Sequence, residues 1–218
     1  MVSTLLLVPT RIELDFLSRA FHQRIAEFDC KIALCGFGPI LAGILASQLI
    51  SEHKPTKVLL LGVAGGLTEE LPVAKSFEFD EVVCYGVGAG SGNRFVTAQE
   101  MGWCHWRSEH DRFEIKDAIS VDNLRENPVK RDSPAQLLTC CAASASAEDV
   151  QLRLEKFPNA IAEDMEGFAV AAACAIHKTP LRIIRGISNR AGDRNKSHWR
   201  IHEAIATVEV KALEALRT

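Results

Sequence analysis

Three carboxylates fall within four residues of the stretch IAEDMEGFAVAAACAI (161–176), directly before a run that is almost wholly apolar. A carboxylate can take a proton, hold a hydroxyl or counter a developing positive charge. It also suits the first turn of a helix, where it complements the macrodipole by about 0.3–1 kcal/mol. That structural role accounts for Glu163 and Asp164, read as the acidic start of a helix running to Ile176. Glu166 stands apart. Met165, Phe168, Ala169, Ala172, Ala173 and Ile176 mark a core-facing stripe, and Glu166 sits beside it on the first turn, where it can point along strand ends toward a cleft.

Two glycine clusters and one polar loop could complete such a cleft. Gly36-Phe37-Gly38 follows an apolar run and precedes a helical pattern, so its amides could face an anion or a sugar hydroxyl, or simply make a tight turn. Leu41 occupies the third glycine position of a dinucleotide fingerprint, and the Gly-Lys-Ser/Thr ending of a phosphate loop is missing. Gly62-Val-Ala-Gly-Gly66 ends another apolar run and permits close approach to the backbone. In RGISNRAGD (185–193), Ser188-Asn189 closes a strand and opens a polar loop, as a ligand contact at a strand end or as a turn former. No HExxH or Gly-x-Ser-x-Gly is present, and His105 and His110 read as loop or packing histidines; no metal or cofactor is expected.

The elements that must position these groups alternate short apolar runs with helical patterns, which predicts a three-layer α/β/α architecture. Strands are expected at Leu5–Val8, Lys31–Leu34, Val58–Leu61, Phe77–Cys84, Ala118–Val121, Ala135–Cys141 and Leu181–Ile187. One helix should follow Pro9-Thr10 with Ile12, Phe16, Leu17 and Phe21 on one face. Others should cover Pro39–Glu52, Ala147–Lys156, the 161–176 stretch and Trp199–Leu216, with GVGAGSGN (86–93) as a loop or flap.

The chain has 218 residues, 47% hydrophobic and 24% charged, enough for one domain over 1–218 with a substantial core. A net charge of −3 with scattered Lys and Arg gives no footprint for nucleic acid. Seven cysteines without a CxxC pair suit reduced thiols. The apolar runs are too short for a membrane span or signal peptide, so the expectation is a soluble, cytoplasmic protein.

Five segments in order, PTRIE (9–13), GFGPILAG (36–43), GVAGGL (62–67), KFPNAIAEDMEG (156–167) and PLRIIRGISNRAGD (180–193), resemble the nucleoside phosphorylase and nucleosidase superfamily. Each is weak singly, but the ordered set is specific and spans most of the chain. Pro-Thr-x-x-Glu, Glu-Asp-Met-Glu-Gly, Gly102-Trp103, Arg194-Asn195 and Trp199 are most similar to futalosine hydrolases; Phe157 to Gly167 also resembles methylthioadenosine/S-adenosylhomocysteine nucleosidases.

The resemblance implies a nucleoside phosphorylase-like fold with a central mixed sheet, a purine nucleoside as ligand and a homo-oligomer. It also implies site residues. Glu13 would position or deprotonate water, Glu166 would hold ribose hydroxyls over Met165, and Asn189 would address purine N7 and the 6-substituent. Gly65, Gly38 and Ser144 would line the substrate. Asn189 stands where adenine-specific nucleosidases carry Asp; an amide NH₂ donates to O6 or N7, which favours a 6-oxopurine such as hypoxanthine. Val63 stands where relatives often use Ser or Thr, and Ala143-Ser144 replaces a base-stacking Phe. The expected activity is hydrolysis of futalosine to hypoxanthine in menaquinone biosynthesis. The alternatives are a methylthioadenosine/S-adenosylhomocysteine nucleosidase, a phosphorylase with Arg11 or Arg94 on phosphate, and a non-catalytic nucleoside-binding module. Arg94, Phe95 and Trp103 are candidates for the substituent beyond the ribose.

Overall fold

The computed structural model describes residues 2–110, 112–125 and 135–217. In chain order, β1 (Thr4–Val8), α1 (Arg11–Phe16), α2 (Arg19–Ile25), β2 (Cys30–Leu34), α3 (Gly38–His53), β3 (Lys57–Gly66), β4 (Ser76–Phe79) and β5 (Glu81–Tyr85) come first. Four short strands follow, β6 (Gly88–Ala89), β7 (Val96–Thr97), β8 (Trp106–Arg107) and β9 (Glu114–Ile115). Then come β10 (Ala118–Ser120), β11 (Gln136–Cys140), α4 (Ala147–Lys156), β12 (Ala160–Asp164), α5 (Gly167–His177), β13 (Leu181–Arg190) and α6 (Ile201–Leu216).

Nine of the strands form one mixed sheet, parallel at β1–β2, β1–β3, β3–β13, β5–β11 and β11–β12, antiparallel at β5–β10, β3–β12 and β4–β13. The runs Leu5–Val8 and Val58–Leu61 are apolar at every position because both faces are covered. Leu5, Leu7, Val58 and Leu60 pack toward α3 and α5. Leu6, Val8, Leu59 and Leu61 pack toward α2 and α6. The three layers follow from that alternation.

β3 organises the centre. β13 pairs with it from Val58 to Gly66, so β1 and β12 divide its other edge: β1 pairs with Lys57–Leu60, β12 with Gly65 and Gly66. Between those neighbours the edge is split, leaving backbone groups of residues 61–63 to find other partners. Open α/β sheets bind ligands at such switch points.

Several boundaries differ from expectation. The 161–176 stretch is not one helix: Ala160–Asp164 is β12, and α5 starts only at Gly167. Pairing with both β11 and β3 overrides the local helical pattern. Ile176 is exposed, and α5 is buried on most sides rather than along one stripe, with Val170, Ala171, Cys174 and Ala175 also inside. The first helix is two, because Leu17 and Ser18 are extended and Ser18 caps α2; Ile12 and Phe16 consequently face solvent while Leu17 and Phe21 are buried. Phe77–Cys84 is two strands, since the chain leaves β13 and joins β10 and β11 at Asp80. The stretch 86–93 contains β6, which pairs with β7 in a small hairpin. Gly62–Gly66 and Ser188–Asn189 lie inside long strands rather than beyond their ends.

Candidate active site

A cavity of about 300 Å³ opens over the split edge of β3. Its wall includes Glu13, Gly65, Ser144, Glu163, Met165, Glu166 and Asn189. The structure therefore brings six of the seven expected site residues to one cleft. Gly38, the seventh, reaches it through its amide, which donates to Glu166 Oε1 at 3.0 Å. Its φ of +78° is one that glycine adopts freely.

The split edge explains both Glu13 and a residue the sequence reading passed over, Arg185. The free Val63 N–H donates to Glu13 Oε1 at 2.9 Å, and Arg185 Nη1 donates to the free Leu61 carbonyl at 3.3 Å. Arg185 stands on β13 opposite Gly62, and its fully buried guanidinium crosses β3 there. A Cβ on Gly62 would run into Arg185 Nη1 and lie 2.6 Å from Glu13 Oε1. Gly62→Ala should therefore destabilise the protein by about 1–3 kcal/mol, as overpacking does; denaturant unfolding checks this, and an unchanged midpoint would refute it.

Glu13 is also fixed from its own turn. Thr10 is the N-cap of α1 in a Thr-x-x-Glu capping box: Thr10 N–H and Oγ1 donate to Glu13 Oε2 at 3.0 and 2.6 Å, and Glu13 N–H donates to Thr10 Oγ1 at 3.2 Å. A local cap and a remote strand edge thus hold a buried carboxylate at the cavity wall.

Glu166 sits at the N-cap position of α5 without capping it by its side chain. Asp164 does that work, accepting from Gly167 N–H at 2.9 Å, from Thr139 Oγ1 at 2.6 Å and from Arg185 Nη2 and Nε at 2.6 and 3.0 Å. Arg185 Nη2 also lies 3.5 Å from Glu166 Oε2. Burial pushes the Glu166 carboxyl up to about 7, against the opposing pull of Arg185 and with Asp164 adding to the rise. It is poised to titrate near neutrality.

At the other end, Asn189 is held in one orientation. Ser188 Oγ donates to its Oδ1 at 2.8 Å, and its Nδ2 donates to the Arg190 carbonyl at 2.7 Å, leaving the amide NH₂ a further hydrogen. The β3–β13 register shifts between Ile187 and Asn189, the local irregularity that re-aims side chains beside many sites.

Of the two acidic neighbours expected at a helix start, Asp164 does meet the N-terminus of α5 through Gly167 N–H, whereas Glu163 does not. Both are buried at the end of β12, and Glu163 accepts from Ser144 N–H and Oγ at 2.8 and 2.7 Å and from Arg153. Ser144 is thus 1% exposed, its polar groups engaged by Glu163. Arg94 and Trp103 are solvent-exposed, Phe95 packs on Tyr85, and Arg11 pairs with Asp15; none lines the cavity. Its outer wall instead carries Phe37, Ile201 and Arg194, whose guanidinium lies 5.3 Å from the Trp199 ring. Among the described residues no cluster of His, Cys, Asp and Glu could hold a metal ion, and no helix is long and apolar enough to cross a membrane.

A two-sided α/β sheet with buried carboxylates around a strand-edge cleft is an arrangement suited to a small polar ligand. Residues 18–218 match the Phosphorylase superfamily model, and the chain belongs to that family. It is 30% identical over 158 residues to a futalosine hydrolase of Streptomyces coelicolor, covering 69% of this chain and 61% of that one, so it spans about three fifths of that relative's length. A Thermus thermophilus futalosine hydrolase is 29% identical over 94% of this chain and 91% of its own. The structure of a 5′-methylthioadenosine/S-adenosylhomocysteine nucleosidase from Neisseria meningitidis superposes with a TM-score of 0.76, at 17% identity and full coverage of both chains. The fold is therefore nucleoside phosphorylase-like.

Proposed function

We propose that this chain is an N-ribosyl hydrolase of a 6-oxopurine nucleoside, futalosine, releasing hypoxanthine in menaquinone biosynthesis. The observation that carries the base preference is the fixed amide of Asn189. After donating to the Arg190 carbonyl its NH₂ keeps one hydrogen for the base, suited to O6 or N7. The two futalosine hydrolases among its relatives agree with that reading.

Cleavage of the glycosidic bond leaves positive charge on the sugar and negative charge on the base. Glu166 accepts from ribose hydroxyls and counters the cation, with Met165 beneath the ribose. Glu13 accepts a proton from the attacking water, whose oxygen bonds the anomeric carbon as the bond to the base breaks. Asn189 donates to the departing base. Gly65 lines the base side of the cavity, Ser144 builds the wall there through Glu163, and Gly38 holds Glu166. Hydrolysis rather than phosphorolysis is supported by the acidic wall; neither Arg11 nor Arg94 lines the cavity, and Arg194, which does, lies against the Trp199 ring. The chain acts as a homo-oligomer: Phe37, Ile40, Leu41 and Ile44 present an exposed apolar face on and before α3, beside the cavity.

Incubation with futalosine, inosine and methylthioadenosine, with detection of the released base, tests the assignment. Hypoxanthine release without added phosphate is expected; adenine release alone, or turnover that needs phosphate, would overturn it. Asn189→Asp should lower kcat/KM on 6-oxopurine nucleosides about 10- to 100-fold more than on 6-aminopurine ones, because the donor becomes an acceptor. Equal losses would count against the base-reading role.

A further inference from the structure

One charge in the cavity wall has the opposite sign to the rest. Glu13, Glu163, Asp164 and Glu166 line the cavity as carboxylates, and among the described residues Arg194 is the single cationic side chain beside them. The carboxylates are all engaged by neighbouring donors. Arg194 has neither an ion pair nor a hydrogen bond among the described residues; its guanidinium lies 5.3 Å from the Trp199 ring. A guanidinium stacked on a ring keeps its planar fork of N–H donors open at the edge.

The loop from β13 to α6 fixes that arrangement from within. Trp199 Nε1 donates to the Asp193 carbonyl at 3.0 Å, and the Asp193 carboxylate pairs with His198 Nδ1 at 2.7 Å. Arg200 N–H returns to the Ser188 carbonyl at 2.7 Å, which anchors the loop on the strand that carries Asn189. Ile12 and Phe37, the chain neighbours of Glu13 and Gly38, complete the rim together with Ile201. Ile12 and Phe37 are 64% and 65% exposed, whereas Glu13 and Glu166 are buried. A nucleoside with its base at Asn189 and its ribose on Glu166 therefore sends the group beyond the ribose out to this rim.

We propose that the rim is a subsite for an anionic group carried on a flat apolar spacer, and that Arg194 grips the anion. This rests on the nucleosidase reading and deepens it by naming the chemistry of the substituent. The guanidinium fork matches a carboxylate through two parallel N–H···O bonds. Ile12, Phe37 and Ile201 offer the spacer an apolar surface, which suits an aryl or acyl carboxylate better than a bare phosphate. The four carboxylates below repel an anion placed any deeper, so the charge is read at the rim alone. Nucleosides that end in a hydroxyl or a neutral thioether gain nothing from Arg194, and the difference in affinity is the specificity.

Binding of uncleavable ligands tests it without relying on turnover. The probes are 9-deazafutalosine, whose carbon–carbon link to the ribose resists hydrolysis, and its methyl ester, which lacks only the charge of the terminal benzoate. In titration calorimetry of the full chain the acid should bind about 10-fold more tightly than the ester. Arg194→Gln should bring that ratio close to one, and Arg194→Lys, which keeps the charge but not the fork, should restore part of it. Equal affinities in the unsubstituted protein, or a ratio that survives Arg194→Gln, would overturn the proposal. The 9-deaza analogue of inosine 5′-monophosphate tests the other source of an anion: tighter binding than the benzoate would make the rim a phosphate site and overturn the apolar spacer. The same acid and ester built on a 6-aminopurine keep the two readings apart. If only that series binds, the 6-oxopurine assignment fails while the acid-to-ester ratio still reports on Arg194; if neither series binds at millimolar concentration, both readings are overturned.

Discussion

Glu166→Gln is expected to lower kcat/KM about 100- to 1,000-fold, the usual loss when a preorganised charge is withdrawn from a developing transition state. The amide keeps the shape of the side chain and can still accept from Gly38 N–H, so the loss isolates the charge. With the carboxyl pushed up to about 7 by burial, the unsubstituted enzyme should show kcat/KM falling as pH drops below about 7. A pH–rate profile that is flat down to pH 5, or a variant with near-normal turnover, would refute the assigned role.

The same shift makes a second statement about Glu166, with the opposite sign for stability. Its folded value lies above the ordinary 4.5, so the folded chain holds this proton more tightly than the unfolded one. That contribution is fully present below about 4.5 and is lost as pH rises through about 7, amounting to roughly 3 kcal/mol at most. Glutamine carries no such dependence. Glu166→Gln should therefore unfold at a higher temperature than the parent above pH 7, with the gap closing toward pH 4.5. The charge that serves catalysis costs stability.

Arg185→Met should give the largest loss of stability. The guanidinium is wholly buried and is the shared partner of Asp164 and Glu166 and of the Leu61 carbonyl. Withdrawing one member of such a buried pair leaves uncompensated charge and costs about 3–5 kcal/mol, near 10 °C in Tm for a chain of this size. Pairing the change with Asp164→Asn removes one stranded charge and should recover part of the loss. A single variant that melts with the parent would show that the network carries no stability, and Glu166 would need another explanation for its placement.

Much of this was legible in the residues. Burial of every residue in Leu5–Val8 and Val58–Leu61 follows from continuous apolar runs, and α4 falls where its pattern placed it. The ordered motifs drew Glu13, Met165, Glu166 and Asn189 into one cleft although 176 positions separate the first from the last. Two local signals went unused. Thr10-x-x-Glu13 is a capping box, and an arginine inside LRIIRGIS requires a buried partner.

The sequence by itself determined the alternation of layers and the family, and it set Glu166 apart from its acidic neighbours as the expected ribose contact. Only the tertiary structure decided what those neighbours are. Ile161 to Asp164 is too short for periodicity to separate strand from helix, and the outcome turned on pairing with β3 and β11. The partners that give Glu163 and Asp164 their roles, Ser144 and Arg185, lie 19 and 21 residues away. Charges that far apart in the chain meet only because one edge of β3 is shared between β1 and β12, and Gly62 leaves room for the Arg185 guanidinium to cross.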